Sequence, residues 1–251
     1  MTTWILLRGL MRETRHWGDF ASQLQAARGN EAVLAIDLPG NGSLHQQTSP
    51  LQVSEMVEHC RGQLQQRDIS GPVTLVALSL GGMVAADWAQ RYPQQVQRCV
   101  LINTSMRPFS PFYRRLRPGN YPALLGQGLR SQRGEAFERL ILRLTSSRGD
   151  NSVLPDWYRW QQQYPVSRSN ALRQLLAAAR FRAPRQKPAA SILVLTGAKD
   201  RLVDHRCSLA LASAWQTALA IHPWAGHDLP LDDAAWVVAQ ISQWLTADQG
   251  C

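Results

Sequence analysis

The stretch Val73–Gly82, VTLVALSLGG, decides the fold of this 251-residue chain. Six residues of strand character run directly into a serine, and helical periodicity follows. Small residues on both sides of Ser79, namely Ala77 and Gly81, let a tight strand-to-helix turn close and expose the serine hydroxyl. This form, small-x-Ser-x-Gly, predicts a nucleophile at the end of a buried strand. An unreactive serine in an ordinary glycine-rich turn is the alternative, because such short patterns also occur by chance.

Short apolar runs alternate with helical periodicity through the first hundred residues. Such alternation favours βαβ units and a parallel sheet. Six runs predict six strands: Trp4–Leu7, Ala32–Ile36, Val73–Leu78, Cys99–Ile102, Ile192–Leu195 and Ala218–Ile221. The sequence therefore predicts an α/β fold with a doubly wound, mostly parallel six-stranded sheet.

Residues 106–188, called the lid segment below, break this alternation. They contain no convincing strand, and several prolines stand among stripes of helical periodicity. We therefore predict a helical lid inserted after the fourth strand, with residues 1–105 and 189–251 forming the core domain. The aromatic residues of the lid segment are expected to form a small core of their own rather than substrate contacts.

Two later loops carry the partners that a nucleophilic serine needs. Asp200 follows the fifth predicted strand in TGAKDRLV, and His227 follows the sixth in WAGHD. Because the carboxyl ends of parallel strands meet at one edge of a sheet, both side chains are expected near Ser79. In such a set, the acid orients a histidine that removes the serine proton. Asp204, four residues further along the same loop, is the second candidate for the acid.

The order serine, acid, histidine, each just beyond a strand, resembles the α/β-hydrolase superfamily over nearly the whole chain. Two further segments fit the resemblance: Leu6–Leu10, LLRGL, after the first strand, and Asp37–Gly42, DLPGNG, after the second. The second of these is interpreted as a turn scaffold. The resemblance implies an oxyanion hole made by the backbone N–H groups of Leu10 and Leu80.

Two positions depart from the superfamily pattern. Ala77 stands where glycine is commoner, which is a mild change because alanine adds only a methyl group. Arg8 stands where the motif after the first strand usually has histidine, and it either places a cation beside the acyl pocket or forms a structural ion pair. Two further acidic positions, Asp228 and the Asp232–Asp233 pair, are assigned to a loop and to the start of the last helix, where carboxylates suit the helix dipole.

These residues predict a serine hydrolase that cleaves a carboxylic ester, or a related acyl bond, through an acyl-serine intermediate. The resemblance implies a lidded carboxylesterase in which Ser79 is the nucleophile, His227 the base and Asp200 the group that orients it. This chemistry requires no metal and no organic cofactor. Two alternatives stay open: a menaquinone-precursor-type lyase, whose family usually has arginine at the position of Met83, and a non-catalytic small-molecule receptor on the same fold.

Basic residues are concentrated in the lid segment. The whole chain has 27 Lys and Arg against 18 Asp and Glu, a net charge of +9. The lid segment has sixteen bases and four acids, so it carries +12 and the rest of the chain −3. A solvated basic face is the ordinary interpretation. The sharper hypothesis is an anionic partner, either an acidic carrier protein or an acyl substrate with a carboxylate or phosphate. Nucleic acid is not expected, because no recognition motif accompanies these bases.

The cellular location is predicted from apolar runs and cysteines. No apolar run approaches the roughly 20 residues needed to cross a bilayer, and the amino terminus does not resemble a secretory signal. The four cysteines are widely separated, which favours neither a disulfide framework nor a zinc site: Cys60, Cys99, Cys207 and Cys251. We therefore expect a cytoplasmic protein with reduced thiols and no membrane span.

Overall fold

Strands form where the apolar runs predict them. The computed structural model describes residues 2–128 and 134–248. Its strands are β1 Thr3–Leu7, β2 Val33–Ile36, β3 Val73–Leu78, β4 Val96–Ile102, β5 Ser191–Gly197 and β6 Ala218–His222. Each predicted run thus overlaps a strand, with small shifts at the ends.

The helices fill the connections between these strands. They are α1 Asp19–Arg28, α2 Val53–Gln65, α3 Leu80–Arg91, α4 Phe112–Arg115, α5 Tyr121–Gly128, α6 Glu135–Thr145, α7 Leu154–Gln163, α8 Arg168–Arg180, α9 Arg206–Trp215, α10 Leu229–Asp232 and α11 Ala234–Asp248. Helices α4 to α8 all lie between β4 and β5, at the place of the predicted insertion. The domain boundaries at residues 105 and 189 stay a prediction.

All six strands run parallel, in the order β2-β1-β3-β4-β5-β6. Parallel strands need crossover helices, which cover both faces of the sheet. One face packs against α2 and α3 through residues such as Met56 and Val84. The other packs against α1 and α11 through Phe20 and Ile241. The prediction of a doubly wound six-stranded sheet with a helical insertion after the fourth strand is confirmed.

The strand order reverses between β1 and β3. The chain leaves β1 towards β2, returns to the other side of β1, and then builds the sheet outwards through β4, β5 and β6. In open parallel sheets, ligands usually bind in the crevice beyond the carboxyl ends of the strands at such a reversal. Leu7 of β1 is in register with Ala77 of β3. The segments that follow these two strands therefore leave the sheet side by side.

From the sequence, we expect reduced cysteine thiols and no membrane span. In residues 2–128 and 134–248, no helix combines the length and apolar character that crossing a membrane requires. Cys60, Cys99 and Cys207 are buried and unpaired. Burial raises the pKa of the Cys60 and Cys99 thiols to about 12, so both are neutral, unreactive core residues. Cys251 lies outside the described residues.

Candidate active site

Ser79 lies at the sharp turn between β3 and α3. Its φ of 56° is one that residues with side chains rarely adopt. Its N–H donates to the Ile102 carbonyl of β4 at 2.9 Å, and its carbonyl accepts the Thr104 hydroxyl at 2.8 Å. A Cβ at Gly81 would collide with the Leu7 carbonyl, so only glycine fits there. The strained turn is thus held in place from β1 and β4, the neighbours of β3.

Asp200 and His227 form a buried pair at the carboxyl ends of β5 and β6. The distance between Asp200 Oδ2 and His227 Nδ1 is 2.7 Å. The other carboxylate oxygen accepts the backbone N–H groups of Leu202 and Val203, each at 2.8 Å. These contacts orient the carboxylate, and the carboxylate favours the tautomer with the proton on Nδ1. Nε2 of His227 is then the acceptor nitrogen of the ring.

Ser79 and His227 line one cavity of about 1980 Å³. Ser79, His227, Leu10 and Leu80 all lie in its wall, and helices α4 to α8 of the lid segment supply much of the rest. Typical small-ligand sites occupy roughly 300–1000 Å³. The cavity therefore has room for a substrate that extends well beyond one reacting group.

Leu10 and Leu80 flank Ser79 on two sides. Leu80 is the first residue of α3, so its N–H has no acceptor within the helix. Gly9, just before Leu10, packs so closely that a Cβ there would lie 3.1 Å from the Ser79 Cβ. The chain turns at this point, because the Arg12 N–H donates to the Gly9 carbonyl at 3.2 Å. The backbone of both leucines therefore lies at the cavity edge beside the serine.

Arg8 forms a buried bidentate ion pair with Asp228, the residue after His227. Nη1 lies 3.0 Å from Oδ1, and Nη2 lies 2.5 Å from Oδ2. The guanidinium also lies 4.9 Å from the centre of the Trp17 ring. Arg8 thus forms the structural ion pair that was one of its two interpretations, the other being a cation beside the acyl pocket. Asp228 is more than a loop residue, because it ties the loop after β1 to the loop that carries His227.

Asp204, the second candidate for the acid, has a different partner. Its carboxylate accepts Arg206 Nη2 at 2.6 Å. This charged hydrogen bond lowers the pKa of Asp204 to about 2. The structure thus pairs Asp204 with arginine and pairs Asp200 with His227.

Asp232 corrects one expectation of the sequence analysis. It lies in α10 instead of starting the last helix, and its buried carboxylate accepts the Gly226 N–H at 2.6 Å and the Ser146 hydroxyl at 2.5 Å. Asp233 alone caps α11, through the Trp236 N–H at 2.9 Å. The Asp232 carboxylate therefore joins the loop before His227 to the lid segment.

Asn103 carries no motif in the sequence, yet it connects the loops of the acid and the histidine. It follows β4 with a φ of 45° and is buried. Its Nδ2 donates to the carbonyls of Gly226, at 3.0 Å, and His227, at 2.7 Å. Its Oδ1 accepts the Thr196 hydroxyl and the Gly197 N–H, both at 2.9 Å. The available signal was weak: an amide residue that tolerates a positive φ, directly after a buried strand.

Comparison with known proteins identifies the class. The sequence matches the alpha/beta hydrolase family over residues 5–240. The chain therefore belongs to the α/β-hydrolase family.

Relatives within this class include esterases. The chain is 27% identical over 237 residues to the pimeloyl-[acyl-carrier protein] methyl ester esterase of Pectobacterium carotovorum, a match that covers 90% of this chain and 87% of that protein. It is 36% identical over 102 residues to the biotin biosynthesis bifunctional protein BioHC of Teredinibacter turnerae, covering 40% of this chain but 17% of that protein. The structure of a thermophilic esterase from Thermogutta terrifontis matches with a TM-score of 0.75 at 20% identity, over 98% of this chain and 90% of that one. The prediction of a carboxylesterase-like α/β-hydrolase is confirmed.

Proposed function

We propose that this chain is a serine hydrolase that cleaves a carboxylic ester through an acyl-serine intermediate. The supporting observation is that Ser79, on its strained turn, and His227, which contacts the buried Asp200, line one cavity. His227 takes the proton of Ser79 as the serine oxygen attacks the ester carbonyl. Asp200 keeps the imidazole in its useful tautomer and stabilises the cation that forms.

The backbone N–H groups of Leu10 and Leu80 stabilise the negative oxygen of the tetrahedral intermediate. One such donor typically contributes about 3 kcal/mol of transition-state stabilisation. The intermediate collapses when His227 gives its proton to the leaving alcohol, which leaves the acyl group on Ser79 Oγ. Water then attacks the acyl-serine with His227 again as base, and His227 returns this proton to Ser79 Oγ as the free acid leaves. Each step uses groups of the chain and needs neither metal nor organic cofactor.

The substrate proposed here is a small-molecule acyl ester, with an acidic carrier protein as a candidate partner at the lid segment. Relatives named as pimeloyl-[acyl-carrier protein] methyl ester esterases support both. The charge of +12 on the lid segment also supports an acidic partner, although Arg130 and Arg133 lie outside the described residues. A cytoplasmic location stays a prediction.

The lid segment is proposed to cover the site, because its helices line the cavity that contains Ser79. Two alternatives fit less well. A menaquinone-precursor-type lyase would usually have arginine where this chain has Met83. A non-catalytic receptor would not need the contact between Asp200 and His227, which suits proton transfer.

Hydrolysis of short p-nitrophenyl esters by the purified protein tests the proposal. We expect Ser79→Ala to lower kcat by on the order of 10⁵-fold or more, because the nucleophile is lost. Ser105→Ala is the matched control, since Ser105 lies in the same cavity wall. A fluorophosphonate probe should label the wild type and not Ser79→Ala. Wild-type turnover by a folded Ser79→Ala would remove Ser79 as the nucleophile, and ester binding without turnover by the wild type would favour the receptor.

A further inference from the structure

Three arginines of the cavity wall have no acidic partner. Arg107, Arg115 and Arg182 all line the cavity. Within residues 2–128 and 134–248, none of the three forms an ion pair with a carboxylate. The cluster therefore presents positive charge to the cavity without compensation from the protein.

Two other arginines of the same wall show the ordinary arrangement. Arg8 is paired with Asp228, and Arg12 is paired with Glu138 at 2.7 Å. Buried charges are normally paired in this way, because an unpaired charge loses its hydration without gaining a counter-charge. Among the described residues, Arg107, Arg115 and Arg182 lack the carboxylate partner that Arg8 and Arg12 have.

The fold brings the three arginines together where the two ends of the lid segment meet. Arg107 and Arg182 form a parallel β-bridge, and the Ala183 N–H donates to the Arg107 carbonyl at 2.7 Å. Arg115 ends α4 and donates Nη2 to the Ala178 carbonyl of α8 at 2.5 Å. Arg182 is exposed and Arg107 is half-buried, so the cluster opens towards solvent.

In the described part of the chain, Arg115 has hydrogen-bond partners but no charged one. Its Nε is buried and has no hydrogen-bond partner. Burial and the nearby charge of Arg107 lower the pKa of the Arg115 guanidinium. Carbonyl dipoles of α8 accept from its Nη groups but supply no full negative charge. Like charges in a partly dry wall destabilise one another unless an anion lies between them.

We propose that Arg107, Arg115 and Arg182 bind an anionic oxygen group of the substrate, a carboxylate or a phosphate. Guanidinium groups suit both, because their planar N–H pairs match the spacing of two anionic oxygens. The same cavity contains Ser79, so the substrate class is an ester with a second, anionic group away from the ester carbonyl. The inference rests on the proposed hydrolysis at Ser79.

A matched pair of substrates tests the cluster. Mono-p-nitrophenyl adipate and p-nitrophenyl hexanoate have acyl chains of equal length, and only the adipate carries a terminal carboxylate. We expect Arg107→Gln and Arg182→Gln each to lower kcat/KM for the adipate about tenfold, the loss of one charged hydrogen bond, with the hexanoate within about twofold. Arg185→Gln is the control, since Arg185 is exposed and lies outside the cavity wall.

A third substrate, which carries a phosphate, tests whether the anionic group belongs to the acyl chain or to the leaving alcohol. The hexanoyl ester of ethylene glycol monophosphate carries its anion on the alcohol side, and its hydrolysis is followed by proton release. A selective loss on this ester would assign the cluster to the leaving group, and a selective loss on the adipate would assign it to the acyl chain. Equal losses on neutral and anionic esters, or no loss on any of them, would overturn the anion site and leave hydrolysis at Ser79 intact.

Binding without turnover separates this inference from the proposed function. Monomethyl adipate and ethylene glycol monophosphate hexanoate are titrated into Ser79→Ala by calorimetry, with and without Arg182→Gln. We expect about tenfold weaker binding of one probe when Arg182 is replaced. Unchanged binding of both probes would refute the cluster, whether or not the wild type turns over any ester.

Discussion

The sheet and the lid segment are stabilised by different interactions. In the central strands of the sheet, apolar side chains are buried on both faces, and every residue of β3 is buried. The small apolar core of the lid segment centres on Leu142, Leu154 and Trp157. Burial of apolar area is non-directional, whereas ion pairs and hydrogen bonds need particular partners. Ala177 and Phe181 anchor the lid segment in the apolar core of the sheet, and a few polar residues add directional contacts.

Several of these polar contacts gather on the loop after β1. Arg12 pairs with Glu138 of α6 at 2.7 Å and lies 4.2 Å from the centre of the Trp157 ring. The Met11 N–H donates to Gln174 Oε1 of α8 at 2.9 Å. The loop that supplies one donor of the proposed oxyanion hole thus also supports the lid segment. Movement of the lid segment is expected to disturb the active site through this loop.

Glu138→Ala should produce the largest change in stability at the boundary between the two regions. It leaves Arg12 largely buried without its carboxylate, which we expect to lower the free energy of unfolding by about 3 kcal/mol. Glu135→Ala is the matched control, because Glu135 lies on the same helix and makes an exposed pair with Arg139. The control should lose about 0.5 kcal/mol or less. Urea denaturation measures both, and equal losses would contradict the contrast between the regions.

Asn103→Asp tests whether the amide directly after β4 positions the loop that carries His227. The substitution removes the Nδ2 donor to the Gly226 and His227 carbonyls, so the histidine loop should shift. We expect kcat to fall on the order of 10²-fold with little change in KM, because a small misplacement of the base slows proton transfer. Asn120→Asp makes the same change where Nδ2 donates to an exposed carbonyl, and it should leave kcat within about twofold. A kcat near the wild-type value for Asn103→Asp would assign Asn103 a purely structural role.

The smallest expected effect is the contribution of His16 to the pH dependence of stability. Its ring centre lies 5.4 Å from that of Trp157 and 5.1 Å from that of Trp160. Burial, with the charge of Arg12 next, lowers the His16 pKa well below its ordinary 6.5. At low pH the unfolded chain therefore binds a proton at His16 that the folded chain does not bind. The free energy of unfolding falls as the pH drops below 6.5, by at most about 1.4 kcal/mol per pH unit.

His16→Phe keeps an aromatic ring in this position and removes the titrating group. The loss of unfolding free energy between pH 6.5 and 5.5, measured with urea, should be smaller in the variant than in the wild type. An identical loss in both proteins would show that His16 does not contribute to the acid sensitivity.

The sequence was informative where structure follows from local pattern. A parallel strand that is buried on both faces must be a short continuous apolar run, so six runs predicted six strands. Ser79, Asp200 and His227 were found for a related reason, because each lies just beyond a strand whose end is at the ligand-binding edge. Their catalytic roles stay a proposal, and the structure supports them through the contact between Asp200 and His227.

The sequence was uninformative where a residue depends on distant partners. Asn103 looks like an ordinary loop residue, yet its amide holds the loops after two other strands. Asp232 looks like a helix cap, yet its carboxylate holds Gly226 and Ser146. Neither contact has a period or a motif, because neither repeats along the chain.

By itself, the sequence determined the positions of the strands along the chain, the place of the helical insertion and the residue types of the site. Periodicity, turn chemistry and the residues after each strand involve neighbours along the chain. They are therefore visible in the sequence alone. Only the tertiary structure decided which charges are compensated. Arg8 meets Asp228 across 220 positions, while Arg107 and Arg182 meet without an ion pair to any carboxylate in the described part of the chain. Strand order and loop packing decide such pairings, and these leave no pattern in the sequence.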